Sequence, residues 1–395
     1  MKTKALILGG GVWQLDIIKK AKLMGFHVIV ADISSSSPGK DIADEFLCID
    51  TNDKEGLLMY AKEKSVKIVI GEQTDRVVPI AAYLNEQLSL NAGIKPEIAK
   101  RFTDKFLMHE VLKENGIRVH EYQKISTIQE AKLFGEKYGY PLIIKPISSQ
   151  SSLGVFKIDS PDQLGEHLAQ TMKYSDDGCV LVEQFVRGTE LTVEGISIDS
   201  IAYPLAVSEK EHFKYNECVA KKIIYPPAYN DVQIAGISGY IKTVVETLGL
   251  VNGIFHAELK YFNGEAFLLE VAARGGGHKI ASIIAPFVSG VDIYECFIKS
   301  VNKEKVNIPV GINRSAMLGF FDLKPGRVKK INGLEEIRQN KNVYEVKLRF
   351  KEGDEIKEAS DDTNRLGYYI LMAKERDEVI ELDRFVNSTL QIEYF

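Results

Sequence analysis

Glu258 and Glu270 are the two residues whose types and spacing ask most plainly for chemistry. Each interrupts an apolar run, and the runs are joined by Asn263-Gly264, a dipeptide that favours a β-hairpin turn. Two carboxylates on neighbouring strands can share a divalent cation. Arg274 follows the second acid and adds a fixed positive charge, while Gly275, Gly276 and Gly277 leave the backbone free to approach an anion closely. These are ingredients of phosphate chemistry. The register sets a condition on them. A strict two-residue hairpin would put Glu258 opposite Leu269 and turn Glu270 to the other face. An odd loop, three residues with a glycine bulge, sets the two acids opposite each other, with His256 on the same face. The competing reading is a pair of ordinary acids on a solvent-facing strand edge.

Earlier stretches carry matching chemistry. An apolar strand from Tyr140 closes on Lys145, and Ser148 to Gly154, with Ser151 and Ser152 at its centre, follows as a donor-rich loop. Lysine, loop and returning strand suit a hairpin that covers phosphates, or simply a mobile polar hairpin; the Walker pattern GxxxxGK(S/T) is absent. Glu183, Gln184, Phe185 and Val186 leave a strand as an irregular segment whose peptide groups can pair with a purine edge, with Phe185 as apolar cover. Glu190 begins the next strand, where its carboxylate can accept both ribose hydroxyls or be only a polar strand start. Glu209 to Lys222, which holds His212 and Lys214, reads as a loop over the site or a solvated stretch. Lys105 opens a helix that Thr103-Asp104 can cap.

The elements that must position these groups begin with a strand at residues 4–8, the turn Gly9-Gly10-Gly11, a helix from Val12 to Met24, and a strand from His27 to Ala31 that closes on Asp32. This half-matches the dinucleotide fingerprint, with Gln14 where the third glycine belongs. Glu72 sits in a polar run, 71–75, either at the ligand-binding edge of a parallel sheet or capping a helix that starts near Arg76. A linker covers Asn91 to Lys100, and from Ser315 the text turns strand-rich. Net charge is −5, which argues against a nucleic-acid partner. The four cysteines form no CxxC pair, no apolar stretch reaches membrane-span length, and the N-terminus enters a strand directly. The expected location is the cytoplasm, with no membrane partner.

The spaced combination of Lys105, Lys145, the Ser/Gly loop, Glu183-x-x-Val186-x-Gly188-x-Glu190, Glu258 and Glu270-x-x-x-Arg274 closely resembles the ATP-grasp superfamily of carboxylate ligases, over residues 1 to about 300. The strand-rich tail and the ending Glu270 to His278 look most like the branch of L-amino acid ligases that make dipeptides. Purine-pathway relatives usually carry Asn and Pro where Ala272 and Gly275 stand here. The resemblance implies α/β and α+β architecture: an N-terminal parallel α/β domain (1–95), a two-lobed ATP-grasp domain (96–305) and a small strand-rich C-terminal domain (306–395). It implies ATP as cosubstrate, with Lys105 and Lys145 on its phosphates, Ser151 and Ser152 in the covering loop, Glu183 to Val186 around adenine and Glu190 on ribose. Glu258 and Glu270 would bind Mg²⁺ or Mn²⁺, and Arg274 would steady the acyl phosphate. Glu72, His212, Lys214, His256, Gly276 and His278 are candidates for contact with the small-molecule carboxylate and amine. Many relatives of this fold are homodimers. The expected reaction is ATP-dependent amide formation through an acyl phosphate, with a purine-pathway ligase as the neighbouring alternative. Readings from other classes are an NAD(P)-binding oxidoreductase and a non-catalytic nucleotide-binding regulator.

Overall fold

The computed structural model describes residues 2–90, 93–175, 177–309, 312 and 314–395. Its first unit is a parallel sheet in the spatial order Glu45–Cys48, His27–Asp32, Lys4–Leu8, Ile68–Gly71. The last three strands are almost continuously buried apolar runs, as parallel strands covered by helices on both faces must be. The first helix, Leu15–Leu23, starts later than expected because Gly11 to Gln14 form a turn closed by a 3.0 Å backbone bond.

That glycine turn is filled by the chain itself. Asp32 accepts the Gly10 N–H at 2.7 Å, the Ser34 N–H at 2.8 Å and the Ser37 hydroxyl at 3.2 Å. Gln14 lies over the turn, where a Cβ on Gly9 would meet its side chain at 3.3 Å, and a Cβ on Gly39 would come within 2.7 Å of Gly10. The acid that would hold a ribose and the backbone that would cradle a pyrophosphate are engaged with each other, which overturns the oxidoreductase reading.

Next comes a four-stranded antiparallel sheet, Tyr122–Ile125, Val180–Gln184, Leu142–Pro146, Phe156–Ile158, whose core with the helices Ile128–Tyr138 and Leu164–Met172 is built on Phe134, Ile144, Leu168 and Val182. An eight-stranded antiparallel sheet follows, in the order Glu265–Ala272, Gly253–Phe262, Thr189–Ile198, Ile201–Phe213, Asn216–Tyr225, Ser315–Phe320, Gly367–Ala373, Val343–Leu348. The last three strands lie beyond residue 306, so the C-terminal region shares this sheet with the centre: Ile224 pairs with Met317 across the expected boundary. One apolar cluster likewise joins Ile7, Ile196, Tyr225, Ile293 and Ile370. Of the expected linker, Asn91 lies outside the described residues and Pro96–Arg101 is helical.

The segment from Glu209 to Lys222 is not a loop. It lies mostly within two strands, the end of Ile201–Phe213 and the start of Asn216–Tyr225, with Lys214 exposed at the tip. One of its charges turns inward: Lys210 pairs in register with Glu190 and points into a polar interior, which is why the stretch lacks the apolar alternation of an ordinary strand. Among the described residues no single helix is long and apolar enough to cross a membrane.

Candidate active site

Glu258 and Glu270 stand directly opposite each other on adjacent strands. The route to that pairing corrects the odd-loop expectation. Asn263 and Gly264, at φ 50° and 84°, make a regular two-residue turn between the paired Phe262 and Glu265. The register shifts inside the ladder, where Leu259 pairs with Leu268 but Glu258 with Glu270, leaving Leu269 as the extra residue of a bulge. The Leu269 carbonyl accepts from Lys145 Nζ at 3.4 Å, so the bulge that aligns the acids also offers an acceptor to the lysine.

The hairpin forms one wall of a cleft of about 490 Å³, and most of the predicted residues line it: Lys105, Lys145, Ser151, Ser152, Gln184, Phe185, Val186, Glu190, His256 and Arg274 among them. Each expected metal ligand is matched to a lysine. Lys105 Nζ lies 3.1 Å from Glu270 and donates to the Ser149 carbonyl at 2.6 Å; Lys210 Nζ lies 2.7 Å from Glu258 and 3.0 Å from Glu190. Lys260 also reaches Glu190 at 3.0 Å, and His212 reaches it at 3.4 Å. Burial opposes ionisation of Glu258 and Glu190, but Lys210 first, then His256 at Glu258 and His212 and Lys260 at Glu190, holds both well below the usual carboxylate range. Lys210 had no apolar-strand signal around it; the clue was alternation, since a strand through Glu209 to His212 puts Lys210 and His212 on one face. Lys214 does not reach the cleft.

Glu183 lines the same cleft, with its side chain turned to partners the sequence did not indicate. Its carboxylate is 2% exposed and holds Lys145 at 2.8 Å, His109 at 3.1 Å and His120 at 3.3 Å. The Lys145 ammonium and the imidazoles overcome burial and keep it strongly acidic. The ligating atoms of His109, His120 and Glu183 lie within 4.8 Å of one another, but Lys145 already supplies the counter-charge there, so the trio serves as the mount of that lysine. Gln184, Phe185 and Val186 line the cleft beside it.

The polar run after the strand Ile68–Gly71 does not cap the next helix, Val77–Gln87, which starts without a side-chain cap. It faces the glycines instead. Asp75 takes Arg274 bidentately, Nε at 2.6 Å and Nη2 at 3.2 Å, and the Gly275 N–H donates to Glu72 at 2.7 Å. Burial pushes the Glu72 carboxyl up to about 7 against the pull of that N–H and of Arg274. Glu194, fully buried, accepts from Gly276 N–H at 3.3 Å and bonds His256 Nδ1, while His256 Nε2 lies 3.2 Å from Glu258. Burial lowers the His256 pKa, but Glu194 and then Glu258 override it and raise it to about 9. Close packing explains the small residues: a Cβ on Gly275 would fall 2.3 Å from the Ala281 Cβ. His278, at φ 51°, packs among Trp13, Phe320 and Tyr368 at 4.6, 5.1 and 5.4 Å between ring centroids. Ser151 and Ser152 both take left-handed backbone (φ 62° and 57°), and the neighbouring Gln150 fastens their loop by accepting the Asp75 N–H at 3.1 Å. Asp75 belongs to the polar run 71–75, whose place at the sheet edge was one of the two sequence readings; Glu194, Trp13 and Arg365 escaped sequence reasoning because nothing near them in the chain signals a site, and only the fold brings them in.

Two hard-oxygen donors on one face, each paired with an ammonium, fit a magnesium-type cation. The surrounding lysines, the donor-rich loop and the arginine suit a nucleoside triphosphate beside it.

Comparison with known proteins agrees with this geometry. Residues 138–282 match the ATP-grasp domain and residues 319–394 the L-amino acid ligase C-terminal domain 2. The chain is 25% identical over 333 residues to an L-arginine-specific L-amino acid ligase of Bacillus subtilis, covering 80% of this chain and 78% of that protein. It is 24% identical over 352 residues to dapdiamide A synthase of Enterobacter agglomerans, covering 83% and 82%. Among solved structures, an L-amino acid ligase from Bacillus licheniformis superposes with a TM-score of 0.84 at 21% identity, covering 100% of both chains.

Proposed function

We infer that this chain, which belongs to the ATP-grasp superfamily and is an ATP-dependent carboxylate–amine ligase, joins an amino-acid carboxylate to the amine of a second small molecule in the manner of the L-amino acid ligases. The observation that carries the reading is the cross-strand pairing of Glu258 and Glu270 in a cleft that also holds Lys105, Lys145 and Arg274. The substrate carboxylate attacks the γ-phosphorus of ATP, forming an acyl phosphate and releasing ADP. The amine then attacks the acyl carbon, the C–O bond to phosphate breaks, and an amide, phosphate and a proton result. Lys105 and Lys145 bind the phosphates, the Ser151-Ser152 loop excludes water over them, Gln184 to Val186 seat the base and Glu190 the ribose. Arg274, aimed by Asp75, stabilises the oxyanion as the amine adds. Glu258 and Glu270 would hold Mg²⁺ or Mn²⁺, which offsets charge on the phosphate oxygens. No side-chain nucleophile is needed.

The C-terminal match favours the amino-acid branch over the purine-pathway one. We assign the protein to the cytoplasm and to a homodimer, which light scattering on the purified chain tests. For the reaction, the assay is release of ADP and phosphate with Mg-ATP and a panel of amino acids and purine intermediates, with the amide identified by mass. Substrate-dependent phosphate is expected only with amino-acid pairs; none across the panel would sink the ligase reading, and ATP binding without turnover would make the protein a regulator. Glu270→Gln is expected to keep the fold and lose at least about 10³-fold in turnover. Wild-type rates in that variant would remove the metal assignment.

A further inference from the structure

The segments flanking the C-terminal strands Val343–Leu348 and Gly367–Ala373 contribute two cations to the cleft, Arg349 and Arg365, that the nucleotide chemistry does not use. The other six lysines and arginines lining the cleft each stand within 3.1 Å of a carboxylate of their own. Arg365 has one close acid, Asp362. Its Oδ1 lies 3.0 Å from Arg365 Nη1, outside hydrogen-bonding alignment, and burial pushes its carboxyl up towards the neutral form. Arg349 has no acidic partner among the described residues: its Nη1 donates to the Thr363 carbonyl at 2.8 Å and its Nη2 stands 3.5 Å from His278 Nε2. Glu258 and Asp361 also act on Arg365 from nearby, but Glu258 is engaged by Lys210 and His256, and Asp361 by Thr363, Ser360 and Asn364.

The mount of Arg365 is built. The residue is 6% exposed, its plane lies 3.5 Å over the Phe320 ring, Nε donates to Asp362 O at 3.1 Å and Nη1 to Ala220 O at 3.3 Å. Nη2 donates no hydrogen bond among the described residues. Burial lowers its pKa to about 10, a sign of how weakly the charge is compensated. A buried guanidinium that lacks a full counter-charge is costly unless an anion arrives, and a planar fork prefers a carboxylate.

We propose that Arg349 and Arg365 form a subsite for a substrate carboxylate that is not activated in the reaction, resting on the ligase reading above. Two sources share that chemistry: the α-carboxylate of the amine component, or a second carboxylate on the acid component. The aromatic wall of Trp13, His278 and Phe320 beside it accommodates the apolar part of the same substrate.

The test uses the full-length enzyme with Mg-ATP. Amino acids are compared with their α-carboxamides as amine component, and L-glutamate and L-aspartate with L-glutamine and L-asparagine as acid component. In the wild type, amidation of the retained carboxylate in one of these arms raises the KM of that substrate by about 10- to 100-fold. In Arg349→Gln, at an exposed position safe for folding, that preference falls below about threefold while KM for ATP stays within about twofold; Arg349→Lys restores part of it and Arg365→Gln repeats the loss. A preference that survives in Arg349→Gln, or a rise in KM for ATP in its place, overturns the subsite. If the wild type turns over no pair, the ligase reading has failed separately. Calorimetry with the same acids and amides, in the presence of a non-hydrolysable ATP analogue, then decides: binding that needs the carboxylate and Arg349 sustains the subsite, and equal or absent binding overturns it.

Discussion

Glu72→Gln isolates one buried charge. Glu72 directly follows the strand Ile68–Gly71 and accepts the Gly275 N–H at 2.7 Å, joining the first sheet to the glycines behind Arg274. It is 1% exposed, and burial raises its pKa from 4.5 to about 7. The unfolded chain releases this proton near 4.5 while the folded chain holds it until about 7, so its contribution is fully present below pH 4.5 and lost as pH climbs through 7. A difference of about 2.5 units corresponds to roughly 3 kcal/mol at pH 8. Gln is isosteric, can still accept the Gly275 N–H and does not titrate. The variant should match the wild type at pH 4.5, become more stable through pH 5 to 7, and level off about 3 kcal/mol ahead above pH 7.5, a midpoint shift of up to about 1 M in urea. The assay is paired urea unfolding across that range. A gap that is constant with pH, or that closes as pH rises, would refute the reasoning and mean that Glu72 is ionised in the folded protein throughout.

Three further outcomes follow from particular contacts. Lys210→Met leaves Glu190 and Glu258 facing each other without their shared ammonium, which should cost about 3–5 kcal/mol; added Mg²⁺ should recover more stability in the variant than in the wild type by thermal unfolding, and an equal response would contradict the role of Lys210 as a stand-in cation. Gly275→Ala places a Cβ 2.3 Å from that of Ala281 and must move the backbone beside Arg274; a fall in kcat of about 100-fold with unchanged circular dichroism is expected, and normal kcat would show that the arginine's placement tolerates the shift. Asp32→Asn removes a charged acceptor from the Gly10 N–H and should cost about 1 kcal/mol of stability with kcat and KM for ATP unchanged; a large loss of turnover would return the glycine turn to the site.

Legibility in the sequence followed how local each signal was. The hairpin from Gly253 to Ala272 was readable because its apolar runs, turn dipeptide and two acids lie within a few residues of one another. Even so, the register shift was misplaced: parity demanded one extra residue, and nothing in the sequence says whether the loop or the ladder at Leu269 supplies it. Glu183 was assigned to adenine by its position in a motif, whereas its contacts come from His109 and His120 on other elements. The dinucleotide half-motif misled for the same reason. Gly9, Gly11 and Asp32 fit a pattern, but Ser37 and Gly39 close the turn from further along the chain. Asp75, Glu194, Lys210 and Arg365 pair with groups far away in sequence, so only the folded sheet order makes them partners.

The same distant pairs determine how the site exists before its ligands arrive. Four carboxylates packed into one cleft would repel one another, yet Glu183, Glu190, Glu258 and Glu270 each meet an ammonium at 2.7 to 3.1 Å. On the proposed reading, a metal taking Glu258 and Glu270 must displace Lys210 and Lys105, and those ammoniums are buried and need new anions. The phosphates of ATP supply them. Metal alone would strand two lysines, and nucleotide alone would bring further negative charge towards two acids, so each ligand makes room for the other. On that reading the exchange of partners at Glu258 and Glu270 would couple cation and nucleotide binding, each favouring the other.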